Sequence, residues 1–337
     1  MRHVGLDVHK SQTEMCVLDE RGKVVSRRSI RGEWHAIAAA VRALGKKDVT
    51  VCFEASQGAG FLRDRLREAA EKVLAADPAQ VEAIWRSKRK HDRADAQWLA
   101  KLTMLDSVPE SHVPEEEVRA WRQLIEYRRR LLGKRTAVKT AIRAHLRAHG
   151  KAAKGRGLWT RAGLARLAAE KFGTEMAALR RDMLLTELAE AEAQLRRATK
   201  ALDAKAAEHR GVQLLMTIPG VGARTAEAAV AYIDEAERFD RTKRVGSYFG
   251  LVPVQDQSGP RNRLGRITRR GPSVVRWLLT EAAWQGIRRS PKLRGFYERV
   301  RKGDPDRRKL AAVATAHFLA RAMLAMLKSG EAWRESA

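Results

Sequence analysis

The first 105 residues alternate short strand-like runs with helical stretches, and this order restricts the possible folds more than any other feature of the chain. Apolar and β-branched runs bounded by polar or glycine-containing turns are typical of strands. We predict strands at residues 2–7, 13–19, 24–30, 48–55 and 81–85, and helices at residues 33–44, 56–73 and 91–105. The resulting order, βββαβαβα, is typical of a layered α/β domain.

Four carboxylates stand at the ends of these elements. Asp7 ends the first strand, Glu54 ends the strand VCFE, and Asp92 and Asp95 share one face at the start of a helix. Clustered carboxylates repel one another unless a cation offsets their charge, and such hard oxygen ligands suit Mg²⁺ or Mn²⁺ in phosphoryl transfer. Singly, each has an ordinary alternative as a helix cap, turn former or surface charge. As a set, they predict a metal site.

The charge of the chain indicates a polyanionic partner. Its 67 Lys and Arg outnumber 40 Asp and Glu, giving a formal charge of +27, and nucleic acid is the leading candidate.

The charged start is unlike a signal peptide, and we find no apolar run of about 18 residues, so we expect no membrane span and a cytoplasmic location. Cys16 and Cys52 lie in apolar runs, which argues against a disulfide framework and a zinc site.

Two long helical stretches follow, at residues 118–149 and 176–209. Apolar residues recur near heptad spacing in both, with Leu188, Leu195 and Leu202 seven apart in the second. This spacing favours an antiparallel coiled coil or a dimer-forming helical hairpin, although two ordinary packed helices would give a similar pattern. The first stretch is rich in arginine, and we expect part of it, including Arg128 and Arg135, to follow a phosphate backbone.

Residues 214–233 predict two helices joined by the tight turn PGVG. Gly220 and Gly222 in this turn leave backbone N–H groups at a helix N-terminus, where a phosphate can bind without sequence being read. A tight turn without any ligand is the alternative.

Residues 251–271 place Ser258 on a Gly/Pro turn among five arginines: Arg261, Arg263, Arg266, Arg269 and Arg270. No histidine nearby could take the serine proton, which argues against acyl transfer. Arginines instead bind phosphate oxygens and neutralise charge at phosphorus. The alternative is a basic loop that touches nucleic-acid backbone, with an incidental serine. Ser247 is a weaker candidate nucleophile, because its apolar, helix-like run predicts burial.

Together the motifs GLDVHK, FEASQGAG, HDRADA, IPGVG and GLVPVQDQSGPRNRLGRITRRG resemble those of the DEDD-type insertion-sequence transposases, the bridge-RNA-guided recombinases. The resemblance implies a ribonuclease H-like domain similar to Holliday-junction resolvases, a coiled-coil insertion and a mostly helical C-terminal transposase domain with an essential serine. We place these at residues 1–112, 113–210 and 211–337. By motif, Asp7, Glu54, Asp92 and Asp95 would be the acidic tetrad and Ser258 the serine; Pro260 departs from a glycine that is frequent in the family.

The resemblance further implies a guide RNA that pairs with both donor and target DNA. With the residues described above, it predicts an RNA-guided DNA transposase that cuts and rejoins strands through a serine–phosphate intermediate. The expected partners are donor and target double-stranded DNA and a guide RNA, with no membrane, and we expect a homodimer that assembles to a tetramer. One alternative is a metal-dependent junction nuclease that uses water, in which Ser258 only binds. The other is a non-catalytic nucleic-acid scaffold, which would explain the charge but not the carboxylates.

Overall fold

The computed structural model describes residues 1–32, 34–84, 92–151, 155–258 and 261–335. The chain forms two compact units, Met1–Arg119 and Ala120–Ala337. Both contain helices and strands, with helix predominating, so the prediction of a mixed α/β chain is confirmed. The division into three domains stays a prediction.

Unit 1 is a five-stranded mixed sheet with helices on both faces. The strand order is β3-β2-β1-β4-β5; β2 is antiparallel to β1 and β3, whereas β4 is parallel to β1 and β5. Its elements are β1 (Arg2–Val8), β2 (Gln12–Leu18), β3 (Val24–Arg31), α1 (Trp34–Arg42), β4 (Val49–Glu54), α2 (Ala59–Arg67), β5 (Lys72–Ala76), α3 (Pro78–Ile84) and α4 (Asp92–Met104).

The two faces of this sheet are separated by the alternation of side chains along each strand. Val4 and Leu6 of β1 pack with α1 and α2 in one apolar cluster. On the opposite face, Cys16 of β2 packs with Ala96 and Ala100 of α4, and α4 also covers β1 and β4. The sheet is therefore the middle layer of three.

Two predictions in unit 1 are wrong. Residues 81–84 are not a strand but the end of α3, and the fifth strand is β5, which overlaps the end of the helix predicted at 56–73. The helix start is fixed locally, because Oδ1 of Asp77 accepts hydrogen bonds from the N–H groups of Ala79 and Gln80 at 2.9 and 3.2 Å, and Pro78 occupies the first helical position. Residues 33, 85 and 91, which the predictions included, lie outside the described residues.

Unit 2 is mainly helical, and its first helix begins at the end of unit 1. Its helices are α5 (Glu116–Ala148), α6 (Arg161–Ala168), α7 (Glu175–Glu208), α8 (Arg210–Met216), α9 (Ala223–Ile233), α10 (Arg244–Tyr248), α11 (Ser273–Arg289), α12 (Pro291–Arg301) and α13 (Arg308–Ser329). A two-stranded antiparallel hairpin, β6 (Pro253–Ser258) and β7 (Arg261–Ile267), interrupts them. The long helices confirm the stretches predicted at 118–149 and 176–209, whereas the hairpin replaces a predicted loop.

The helices α5 and α7 pack side by side in opposite directions. Leu131 packs with Leu195, and further along α5 Ile142 packs with Leu188. Lys139 Nζ lies 3.2 Å from Oε1 of Glu192 across the same seam. The pairing of α5 with α7 is thus a feature of the fold, while a supercoil between them stays a prediction.

The core of unit 2 gathers buried residues of α8, α9, α11 and α13, including Leu215, Ile233, Leu279 and Leu319. One segment, Pro305–Ser329, is long and apolar enough to cross a membrane by length and composition. The expectation of no such run was therefore wrong. Half of its apolar window is buried within the protein, and a core helix passes the same test, so this is weak evidence for a membrane span.

Candidate active site

Three strands of unit 1 bring carboxylates to the same face of the sheet. Leu6 of β1 pairs with Phe53 of β4 in parallel register, so Asp7 and Glu54 follow next to each other on the α4 face at the ends of the two strands. On the other side of β1, Asp7 pairs directly with Glu14 of β2. The register of the sheet therefore places three acidic side chains in adjacent positions.

The helix α4 adds two more carboxylates because it lies unusually close to β1. A Cβ atom on Gly5 would overlap the carbonyl oxygen of Ala96 and would lie 2.5 Å from the backbone nitrogen of Ala100, so only glycine permits this approach. Asp92 and Asp95 occupy the first turn of α4. Docking of α4 on β1 thus carries this turn to the strand end that bears Asp7.

The side chains of Asp7, His9 and Asp92 form a cluster in which one ligand atom of each lies within 4.8 Å of the others. His9 Nε2 is 3.1 Å from Asp7 Oδ2 and 3.6 Å from Asp92 Oδ2. The Asp7 side chain is 14% exposed and that of Asp92 is 55% exposed. The cluster therefore joins one nearly buried carboxylate to one that solvent and substrate can reach.

The pKa of Asp7 is raised, chiefly because burial disfavours its charged form. His9 opposes this by its charge and its hydrogen bond, whereas Asp92 and Asp95 raise the pKa further by repulsion. A divalent cation would relieve both the burial cost and the repulsion. The carboxylate oxygens suit Mg²⁺ or Mn²⁺, and the described residues fit such an ion.

Two members of this region were missed in the sequence. His9 lies two residues after Asp7, and that spacing keeps a side chain on one face of an extended segment. Glu14 is only 6% exposed; its Oε1 accepts a 2.8 Å hydrogen bond from Gln12, and its Oε2 lies 3.7 Å from Nε of Arg93. The spacing could have indicated His9, but Glu14 requires the strand register.

The predicted serine lies in unit 2. Ser258 ends β6 and pairs with Arg261 across the hairpin, while the predicted Gly/Pro turn between them, residues 259–260, lies outside the described residues. Arginines of the hairpin and of the segment after it are exposed at positions Arg263, Arg266, Arg269 and Arg270. Ser247 is exposed in the short helix α10, so the expectation that it is buried was wrong.

The predicted backbone-binding arginines lie along the seam between α5 and α7. Arg128 Nε donates a 2.9 Å hydrogen bond to Thr199 Oγ1, and desolvation lowers the pKa of Arg128. Arg135 joins Arg128, Arg196 and Lys200 in lining an open groove of about 530 Å³. The groove is basic, but the guanidinium of Arg128 already donates a hydrogen bond to Thr199 within the fold.

The two predicted glycines have different surroundings. Gly220 has φ +93°, and a Cβ there would lie 2.8 Å from the carbonyl carbon of Gln285 on α11, so packing explains this glycine. Gly222 precedes α9 as its N-cap, and a Cβ there would meet open space. The backbone at Gly222 is therefore accessible to a ligand, whereas the backbone at Gly220 is packed against α11.

Comparison with known proteins identifies two family models along the chain. The DEDD_Tnp_IS110 model, described as a transposase, matches residues 4–150, and the model of the transposase IS116/IS110/IS902 family matches residues 212–298. Together they match more than two thirds of the chain. The first match contains the whole carboxylate cluster, and the second contains the hairpin.

Curated relatives agree with these matches. A probable family 20 transposase of Pseudomonas aeruginosa is 28% identical over 99% of both chains. The transposase for insertion sequence element IS1111A of Coxiella burnetii is 28% identical over 83% of this chain and 76% of its own length. A putative transposase, y4qE, of Sinorhizobium fredii is 26% identical over 83% of this chain and 70% of its own length. The chain belongs to the IS110 family of transposases, and residues 4–150 match its DEDD transposase domain, which is of the ribonuclease H-like type.

Proposed function

We propose that this transposase cuts and rejoins donor and target DNA through a serine–phosphate intermediate, at a phosphate that also contacts a carboxylate-bound divalent ion. The observation that carries the proposal is the cluster of Asp7, His9 and Asp92, whose ligand atoms lie within 4.8 Å of one another where β1 ends. Transposases of this family act on DNA, and DEDD domains typically use a divalent metal.

The carboxylates Asp7, Glu54, Asp92 and Asp95 would hold the ion. When bound, Mg²⁺ or Mn²⁺ supplies positive charge that stabilises the serine alkoxide and the phosphoryl oxygens. His9, hydrogen-bonded to Asp7 at 3.1 Å, orients that carboxylate. Replacing a residue that hydrogen-bonds to a metal ligand commonly lowers the affinity for the metal by about tenfold or more.

Ser258 would be the nucleophile. Its oxygen bonds to phosphorus, the bridging oxygen of the cut strand leaves and takes a proton, and a strand hydroxyl later attacks the same phosphorus and releases the serine. This exchange conserves the phosphodiester bond energy. Arg261, Arg263, Arg266, Arg269 and Arg270 would neutralise the charge that develops on the phosphoryl oxygens.

We further propose that a guide RNA selects both DNA sites and that the active site is completed between subunits of a homodimer or tetramer in the cytoplasm. The resemblance of the motifs and the charge of +27 support an RNA partner. The long pair α5 and α7, of 33 and 34 residues, supports a dimer-forming arm. A serine from one subunit would then work with the carboxylates of another.

The first test is strand cleavage by variants with conserved side-chain shape: Asp7→Asn, Glu54→Gln, Asp92→Asn, Asp95→Asn and Ser258→Ala. Each should lose cleavage and keep DNA binding, and Ser258→Ala should also lose the covalent protein–DNA adduct. Ser247→Ala, which removes an exposed serine of α10, is the matched control. Cleavage without an adduct in Ser258→Ala would identify the water-using nuclease instead.

The second test mixes Ser258→Ala with Asp7→Asn, each inactive alone. Assembly between subunits predicts partial recovery of cleavage, with the adduct only on the subunit that keeps Ser258. No recovery at any ratio, with mixed oligomers demonstrated, would show that each site is completed within one chain.

A further inference from the structure

A second cavity, outside every residue assigned above, lies in unit 2 between α11, α12 and the start of α13. Its volume is about 510 Å³, within the ordinary range of small-molecule sites. The lining residues are Trp284, Ile287, Arg288, Tyr297, Arg301, Gly303, Pro305 and Arg308.

The floor of this cavity is aromatic and rigidly held. The rings of Trp284 and Tyr297 have centroids 6.1 Å apart. Tyr297 is 4% exposed and packs with Ala311 and Ala312 of α13, while Trp284 is only partly covered by the same cluster. Trp284 therefore lines the cavity with a partly exposed indole, and the guanidinium of Arg308 lies over this ring at the rim.

The rim of the cavity carries three arginines and no carboxylate. The Cζ atom of Arg308 lies 5.3 Å from the ring centroid of Trp284, and neither Arg308 nor Arg288 is paired with a carboxylate in the part of the chain that the structure describes. Arg301 is different: its Nη2 lies 2.9 Å from Oε2 of Glu298, while its buried Nε has no partner among the described residues. Two guanidinium groups and one N–H remain for an anion.

A flat apolar wall beneath unpaired cations fits a ligand that joins an aromatic ring to a phosphate. We propose that this cavity binds one unpaired nucleotide of a single-stranded nucleic acid, with its base against Trp284 and its phosphate against Arg288 and Arg308. A base inside a duplex has both faces covered by its neighbours and cannot reach Trp284. The ligand is thus a strand end, a loop or an opened segment, of either DNA or RNA.

This inference rests on the family's action on DNA and is independent of the carboxylate site. Asp7→Asn should leave binding at the cavity unchanged, so failure of one proposal does not imply failure of the other.

The test compares two double variants with the same loss of charge. Arg288→Ala with Arg308→Ala removes two cavity arginines, whereas Arg289→Ala with Lys309→Ala removes the exposed neighbours that do not line the cavity. Fluorescence anisotropy with the full-length protein and labelled eight-nucleotide DNA, RNA and duplex DNA gives the affinities. The cavity pair should lose roughly tenfold in affinity for single strands, with a smaller loss for duplex, and the control pair should lose equally little for all three.

Photocrosslinking supplies a readout that does not depend on substitution. Oligonucleotides that carry 5-iodouracil should crosslink to Trp284 or Tyr297, as mapped by mass spectrometry, and Trp284→Leu should lose the crosslink while remaining folded by circular dichroism. The DNA and RNA arms identify which strand the cavity prefers. Equal losses in both double variants, an equal loss for duplex, or crosslinks only outside residues 284–308 would each overturn the proposal.

Discussion

Gly5 on β1 and Ala96 on α4 are in backbone contact, with no space for a side chain at Gly5. We expect Gly5→Ala to push α4 from the sheet and to destabilise unit 1 by about 1–3 kcal/mol, the usual cost of overpacking. The displaced helix should also weaken divalent-ion binding, because Asp92 and Asp95 move with it. Urea unfolding and calorimetric titration with Mn²⁺ measure the two effects.

The same substitution at Gly133 is the control. Gly133 is exposed within α5, and a Cβ there would meet open space. Gly133→Ala should therefore stabilise the protein by up to about 1 kcal/mol through helix propensity and should leave ion binding unchanged. Destabilisation of similar size in both variants would contradict a specific role for Gly5.

Asp7→Asn should raise the melting temperature of the metal-free protein. Because the pKa of Asp7 is raised on folding, its contribution to stability is present below the unfolded pKa and is lost as pH rises through the folded pKa. The difference in melting temperature between Asp7→Asn and wild type should therefore be largest near neutral pH and should become smaller as the pH falls.

With added Mn²⁺, the wild-type protein should have a higher melting temperature than Asp7→Asn. The wild-type protein gains stability by binding the ion to its folded state, whereas Asp7→Asn gains much less. Thermal melts with and without Mn²⁺ at two pH values measure this. A wild-type melting temperature that does not respond to Mg²⁺ or Mn²⁺ at any concentration would contradict a metal site at the cluster.

Glu227 of α9 should make stability depend on pH near neutrality. It is 1% exposed, and burial raises its pKa to about 7, despite an ion pair with Arg224 at 3.1 Å. Its stabilising contribution is complete below about pH 4.5 and is lost as pH rises through about 7, a change on the order of 3 kcal/mol.

Glu227→Gln should remove this loss, since Arg224 keeps its 2.6 Å pair with Asp203. We expect the variant to be more stable than wild type at pH 8 and close to it at pH 5 in urea unfolding. Glu281→Gln, at an exposed position of α11, should show no such difference. Parallel curves for wild type and Glu227→Gln would mean that Glu227 is charged throughout this range.

Affinity for duplex DNA should fall steeply with salt. A protein that neutralises four phosphates loses roughly 100-fold between about 50 and 200 mM salt. Replacing the exposed Arg263 and Arg266 of β7 with alanine should make the logarithmic slope shallower by about 2. The control pair, Lys171→Ala with Arg180→Ala, should leave the slope unchanged. An equal change of slope in both pairs would contradict a specific contact between the hairpin and DNA.

The sequence predicts long elements better than short ones, for physical reasons. Heptad-spaced leucines such as Leu188 and Leu195 specify α7 because one apolar stripe repeats over many turns. The strand β5, KVLAA, has no alternation and depends on pairing with β4. Similarly, Leu264 of β7 is 66% exposed. The strand β7 therefore depends on pairing with β6, and the pattern of hydrophobic residues does not predict it.

The candidate site divides in the same way. Asp7, Asp92 and Asp95 are visible in the sequence because carboxylates at element ends are informative by themselves. Glu14 lies opposite Asp7 only through the antiparallel register of β1 and β2, which a single sequence does not encode locally. His9 lies two residues after Asp7, a spacing that the sequence shows directly.

The four predicted carboxylates come from β1, β4 and the start of α4, segments that leave the ribosome in that order. A nascent chain that ends before Asp92 has the strand-end carboxylates but not those of the helix, and α4 is also the layer that covers Gly5. The centre therefore cannot assemble during synthesis until α4 has emerged and docked. On the proposed mechanism, a fragment that ends before residue 92 has no complete ion site and therefore does not cut DNA.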